Sequence, residues 1–346
     1  LDELMSRTVP IPEPASVARR QVRAANADLP RHLPLDNNNV YDAAGLLRAW
    51  PEGGPRKLWE QNVGAGIAAV VEAGGRAFTA GLVEDKQQIV CLDPASGNVL
   101  WRAVAHPSKT EPNVTPVAEA DRLYVSIGGL ACLDAADGAE LWRQKDIGHV
   151  AYSTPLLVGD VLYVPDRSSV LVAVNKADGK LRWRAGVRGA PSPASPAWQQ
   201  VDGQAQVVAG VGGDDPTVVG LDAETGQLLW ERAFMVTYGL CASPVVAGSR
   251  IFLCAGFGPQ YAQCLRAFVE DGRVRARLAY RAAKVQFNSH NTPAVWEGAV
   301  YGFGDGGLQC ARLDDGQVLW KQPWDTARHL IVADGLGLAS TPQGQI

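Results

Sequence analysis

The sequence predicts an all-β chain folded as a β-propeller of four-stranded antiparallel blades, with seven blades as the expected number. Two observations carry the prediction. One phrase, small–x–Asp–x–x–x–Gly–x–x–x–Trp, returns along the chain, and its last position falls at Trp59, Trp101, Trp142, Trp183, Trp230, Ala276 and Trp320, in steps of 42, 41, 41, 47, 46 and 44 residues. Repeats of roughly 40–50 residues mark a propeller, solenoid or array. Each step also holds short apolar runs divided by Gly, Asn and Asp turns, and helical periodicity is absent from residue 60 onward. Such runs are antiparallel strands joined by hairpins, and four per unit repeated radially make a propeller.

The first full copy reads Cys91-Leu92-Asp93-Pro94-Ala95-Ser96-Gly97-Asn98-Val99-Leu100-Trp101. Later copies join Asp134, Gly138 and Trp142, then Asn175, Gly179 and Trp183, then Asp222, Gly226 and Trp230. A decayed copy around Gly272 has Ala276 where Trp belongs; the last joins Gly316 to Trp320, with Arg312 in place of Asp. Blade two shows the order of strands: Thr115 to Ala118, Arg122 to Ser126, Leu130 to Asp134, and a fourth through Trp142. One such sheet cannot bury both faces, so blades must stack. The Trp brings a large apolar ring and an N–H that needs an acceptor. The Gly offers bare backbone for a ring to lie on, and the Asp before the turn accepts backbone N–H bonds. Loose packing is expected where Ala276 replaces the ring.

A strand at Arg56 to Glu60, carrying Trp59, precedes all these units. After Trp320 come Leu330 to Val332, a turn at Asp334-Gly335, and Leu336 to Ser340. The Trp59 strand is expected to complete this seventh blade as its outer strand and close the ring, which removes exposed edges. Eight blades are the alternative if the chain is a fragment. Residues 1–55 differ in kind from the propeller at 56–346 and read as an N-terminal extension or linker, partly irregular. Pro10, Pro12, Pro14, Pro30 and Pro34 bracket a helix-capable stretch from Ser16 to Asp28, and Asn37-Asn38-Asn39 reads as loop. The extension is expected to pack on the propeller side, with a docking arm as the alternative.

The net charge of −4, with both signs interspersed, leaves no basic footprint for nucleic acid, and no apolar stretch is long enough to span a membrane. Of the six cysteines, Cys91, Cys132 and Cys310 occupy the small first position of the phrase, where a buried thiol behaves as a small hydrophobe. Cys241, Cys254 and Cys264 lie on successive strands of blade five, so one local bridge is open to them. The histidines show no metal-ligand spacing, and no metal site is expected. Gly210 to Gly213 lacks the helix that a dinucleotide loop requires. No nucleophile, base and orienting group stand at catalytic spacing.

The phrase resembles the tryptophan-docking motif of pyrroloquinoline-quinone (PQQ)-like β-propellers, over about 290 residues. That family includes quinoprotein dehydrogenases, BamB-like lipoproteins that scaffold outer-membrane β-barrel assembly, and secreted propellers. The resemblance implies that each Trp stacks on the Gly-containing peptide of the adjoining blade. It also implies a periplasmic or extracellular setting and a BamB-like, non-enzymatic scaffold, expected to be a monomer, that binds a protein or peptide on its rim or channel mouth. A sensor or carbohydrate-binding propeller within a larger protein is the alternative. A PQQ-dependent dehydrogenase is the weaker one, because the adjacent Cys-Cys pair that such enzymes place against the quinone is missing; neither PQQ nor Ca²⁺ is expected as cofactor.

First strands open at Thr115-Pro116, Thr154-Pro155, Ser195-Pro196, Ser243-Pro244 and Thr292-Pro293, where Pro is tolerated because ladder pairing has not begun. Residues beside these starts converge on the mouth of the central channel: Asn113, Tyr152, Ser153, Tyr238, Asn288, His290 and Asn291, with Arg328 and His329 in the last blade. A ligand on the axis would meet this ring, which makes it the candidate site.

Overall fold

The computed structural model describes residues 29, 31–51, 54–148, 152–167, 169–187, 189–213, 215–234, 242–254, 262–287, 291–304, 306–324 and 329–341. Among them, antiparallel sheets follow one another at 71–107, 117–144, 156–184, 190–233, 245–282 and 294–322. Each has four strands, except that the fourth sheet gains Ala190–Pro191 as a fifth. A seventh sheet joins His329–Ala333 and Leu336–Ser340 to the N-terminal pair Val40–Tyr41, which runs parallel to His329–Ala333. The core is not central. It is divided into clusters between neighbouring sheets, such as Phe78 and Ile89 of blade one against Leu123 and Leu133 of blade two. This is a propeller, with apolar wedges between blades.

The repeated phrase explains the wedges. Gly97, Gly138, Gly179 and Gly226 all hold φ between +69° and +78°, a region that glycine enters without strain. A Cβ there would lie 2.4–2.7 Å from the rings of Trp59, Trp101, Trp142 and Trp183 respectively, so each ring lies on bare peptide of the following blade. Each indole N–H then donates to the carbonyl just after the Asp or Asn: Trp59 to Pro94 at 2.9 Å, Trp101 to Ala135 at 3.1 Å, Trp142 to Lys176 and Trp183 to Ala223, both at 3.2 Å. The Asp93, Asp134, Asn175 and Asp222 side chains accept N–H groups of their own turns, holding those carbonyls in place.

Two expectations are corrected. Arg56 to Glu60 forms no strand, although Trp59 occupies the ring position over Gly97 and packs with Val63 against Ala77 and Val90. Packing where the Trp is missing is not loose either, because the ring of blade five is Tyr280 and not the residue at position 276. The small residue pairs with the ring across the outer hairpin as Cys91↔Trp101, Cys132↔Trp142, Ala173↔Trp183, Gly220↔Trp230 and Cys310↔Trp320; in blade five the pair is Cys264↔Tyr280. Tyr280 lies on Gly316 and donates its hydroxyl to the Leu313 carbonyl at 2.7 Å, as the indoles do elsewhere. The blade-five hairpin is simply longer, with strands Ala262–Glu270 and Arg273–Ala282. Gly272 is the tip of that hairpin and meets no ring. Ala276 lies in the extension and, with Val274, covers Trp230, whose N–H turns to Gln206 Oε1 at 2.7 Å.

Cys264 therefore joins Cys91, Cys132 and Cys310 in the small position. These and Cys254 are buried and free, and burial pushes the Cys264 thiol up to about 11. Cys241 lies outside the described residues.

Truncating Tyr280 to Ala is expected to cost about 3 kcal/mol in urea unfolding, whereas Tyr280→Phe costs about 1 kcal/mol for the lost bond. Ala276→Trp, which would complete the phrase by its spacing, is expected to destabilise by about 2 kcal/mol through overpacking against Trp230. A stabilised Ala276→Trp variant would refute the corrected register.

Candidate functional site

Strand alternation sorts the connections by face. Turns between first and second and between third and fourth strands emerge on one face; second-to-third loops and inter-blade connections emerge on the other. The Ser/Thr-Pro starts lie on the second face, around the axis. The innermost strand of each blade has one edge without a neighbour, and its polar groups need partners. Hydroxyls of the next blade supply some of them. Thr115 Oγ1 accepts the Ala69 N–H at 3.0 Å, Ser195 Oγ that of Thr154 at 2.9 Å, Ser243 Oγ that of Ser195 at 3.0 Å, and Thr292 Oγ1 that of Ser243 at 3.0 Å.

The N-terminal extension supplies others. Leu29 and residues 31–41 do not pack on the propeller side as expected; they lie in the channel. Carbonyls of Leu29, Leu35, Asp36, Asn38 and Asn39 accept the N–H groups of Glu72, Trp198, Val246, Val295 and Val332 at 2.7–2.9 Å, one innermost strand after another. Arg31 donates from Nε to the Pro155 carbonyl at 3.1 Å, from Nη2 to Pro196 at 3.0 Å, and from Nη1 to Asn37 Oδ1 at 3.0 Å. Asn37 Nδ2 reaches the carbonyls of Ser195 at 3.1 Å and Pro244 at 3.0 Å, and Asn39 Nδ2 reaches Thr292 at 2.6 Å. Asn37 and Asn39 hold φ of 57° and 55°, a left-handed region that Asn tolerates better than most residues. The Asn run was thus the sequence signal for a backbone that alternates inward and outward about the axis.

Electrostatics follow from the burial. Arg31 is buried, and loss of water lowers its pKa to about 10, partly offset by Tyr41 and Asp36. It stays charged and is solvated by carbonyl dipoles. His32 Nδ1 lies 3.1 Å from Thr154 Oγ1; burial first, then the Arg31 charge, push its pKa down to about 3. The ring is therefore neutral.

Of the residues expected at the mouth, Asn113 and Tyr152 are brought together: the Tyr152 N–H donates to the Asn113 carbonyl at 3.1 Å. Tyr152 holds φ of 67° and is 59% exposed, a strained position for an aromatic residue. Ser153 is buried, with its hydroxyl 3.5 Å from the Ala194 carbonyl. Asn291 is half-buried beside the channel start of blade six, and His329 opens blade seven, where partial burial lowers its pKa. Tyr238, Asn288, His290 and Arg328 lie outside the described residues. The same face holds an open cavity of about 400 Å³ between blades one, two and three, lined by His106, Lys145, Asp146, Asp166 and Arg167. Asp166 is committed there: it accepts the Gly148 N–H at 2.9 Å and Arg184 Nη1 at 2.6 Å. The sequence reading missed Arg31, because a lone Arg near a proline-bracketed tail reads as a surface residue.

Ring-on-peptide contacts between blades and a small residue facing each ring, repeated from sheet to sheet, define a PQQ-like repeat propeller. Residues 43–213 and 201–330 match the family described as outer membrane protein assembly factor BamB, and the chain belongs to that family. A relative from Yersinia pestis, outer membrane protein assembly factor BamB, is 24% identical over 298 residues, 81% of this chain and 64% of the relative. The chain thus spans less than two thirds of that relative. The BamB structure from Moraxella catarrhalis superposes with a TM-score of 0.52 at 18% identity, covering 77% of this chain and 83% of that one. A europium-containing methanol dehydrogenase superposes at 0.55 with 13% identity, covering 80% and 71%, a likeness of fold alone.

Arg31→Met is expected to lower stability by about 3 kcal/mol, since buried carbonyls on blades three and four lose their donor, and Arg31→Lys should recover less than half of it. His32 supplies a pH test. The unfolded chain takes up a proton near the ordinary value of 6.5, while the folded ring resists until about 3. Its contribution is complete above the unfolded value and is lost as pH falls through that window. His32→Gln should flatten the decline in unfolding free energy between neutral and mildly acid pH by about 2 kcal/mol; parallel declines in both proteins would show that the ring is not buried neutral.

Proposed function

We propose that this chain is a non-enzymatic docking scaffold that serves outer-membrane protein assembly from the periplasmic side, acts as a single chain, and uses the loops around its channel mouth rather than the channel interior. The observation that carries the reading is the filled channel. An axial ligand such as a quinone would need the space at the Pro carbonyls, and Arg31 and Asn37 already bind those carbonyls. The residues on the axis therefore do not fit a planar cofactor, and no step is assigned to one. The loops at the mouth offer what a protein partner needs: the exposed, strained Tyr152 and, on the same face of the propeller, an open cavity flanked by Lys145 and Arg167. A backbone already held in one conformation loses little further entropy when its loop is bound.

The test places a photo-crosslinking residue at Tyr152, with an equivalent at Leu181 on the outer wall as control, in cells whose own assembly factor is deleted. Crosslinks to a component of the assembly machinery from position 152 only, with recovery of outer-membrane barrel levels, are expected. Tyr152→Ala should weaken co-purification about fivefold or more. Saturable thermal stabilisation of the protein by PQQ, without crosslinks, would sink the scaffold reading.

A further inference from the structure

The blade-five hairpin carries a feature that the ring does not need. Its two faces differ sharply. One face, with Ala267, Val274 and Ala276, packs on Trp230. The other places Arg266 directly opposite Arg277, Phe268 opposite Arg275, and Glu270 opposite Arg273, and Arg250 stands next to Arg266 on the adjoining strand. Three arginines are therefore abreast on three strands. Arg250 is neutralised by Asp314 of blade six at 2.9 Å. Arg266, Arg273, Arg275 and Arg277 are exposed, and none forms an ion pair among the described residues. The Arg277 guanidinium lies 5.4 Å from the centre of the Phe268 ring. All this occurs in a chain whose net charge is −4.

Like charges directly opposite each other destabilise a sheet. Protection of a strand edge asks for charge of either sign and does not ask for arginines in such excess over the single Glu270 on this face. The edge itself is partly closed, because Arg232 of blade four donates to the Ala276 carbonyl on the outer side of the ribbon. A partner would therefore lie on the face rather than add a strand.

We propose that this face binds an acidic, extended segment of a partner protein. Alternate residues of a strand lie about 6.8 Å apart, which is the spacing of Arg273, Arg275 and Arg277. An extended peptide with carboxylates at alternate positions presents the same spacing, and guanidinium–carboxylate pairs can be bidentate. Phe268 gives the segment an apolar contact in the middle of the charges. The proposal names a partner chemistry for the docking reading and rests on it in that respect.

The test is fluorescence anisotropy at low salt with two labelled dodecapeptides of one composition, glutamate and threonine either alternating or in two blocks. The alternating peptide is expected to bind saturably and about fivefold or more tighter than the block isomer. It should weaken at least ~10-fold in R275E/R277E, with R275Q/R277Q in between. Both variants should melt no lower than the parent, since repulsion with Arg266 is relieved. Equal binding of the two isomers, or variants that bind like the parent, would overturn the proposal. So would arginine-dependent binding to phosphatidylglycerol vesicles that exceeds binding to the peptide, which would assign the face to a membrane surface. Loss of peptide binding with intact crosslinking from position 152 would sink this inference and leave the scaffold reading standing.

Discussion

One contact sets the architecture: an aromatic ring laid on the glycine peptide of the next blade, with its polar hydrogen given to a carbonyl three residues before that glycine. The contact is directional. Trp59, Trp101, Trp142 and Trp183 each hand it forward to the next blade in chain order, and Tyr280 does so from blade five to blade six. It also buries apolar area in a wedge where two twisted sheets would otherwise leave a gap. The left-handed glycine is required because any side chain there would occupy the ring's place. Blade four to blade five lacks the contact, and there the longer hairpin brings Val274 and Ala276 to cover Trp230 instead.

This logic was legible in the sequence because it repeats. A phrase that recurs with the same residue types at the same spacing betrays a fold without any long-range contact being known. The misreading of blade five has the same origin. Gly272 and Ala276 matched the spacing of the phrase but not its pairing, since spacing along a chain does not reveal how far a hairpin extends. Only the ladder shows that Cys264 faces Tyr280. The candidate site was legible by half. The Ser/Thr-Pro starts marked where blades meet the axis, and Asn113 and Tyr152 are indeed joined there. The occupant of that axis was not legible, because a single segment meeting six sheets leaves no periodic trace.

The same segment helps close the ring. Val40–Tyr41 pairs with blade seven, Leu46 and Arg48 engage Asp334 in its turn, and the chain then reaches blade one, where Trp59 lies on Gly97. The junction between the last blade and the first is thus bridged by residues that precede both. A ring closed in this way ties the stability of its last blade to the channel segment, so that disturbing either end of the segment disturbs both.

The chemistry of the channel segment follows from what it must satisfy. Innermost strands present carbonyl and N–H groups to a narrow axis, and a purely apolar filler would leave them without partners, at about 1–3 kcal/mol for each. A column of water would satisfy them but would also keep the axis open to ligands. Arg31, Asn37 and Asn39 supply donors for the carbonyls while the segment's own backbone accepts from the N–H groups. A guanidinium suits this task because its donors diverge in a plane and can reach two blades at once. With the channel interior committed to structure, recognition is left to exposed surfaces: the strained loop at Tyr152 by the channel mouth on one face and the arginine-bearing hairpin of blade five on the other.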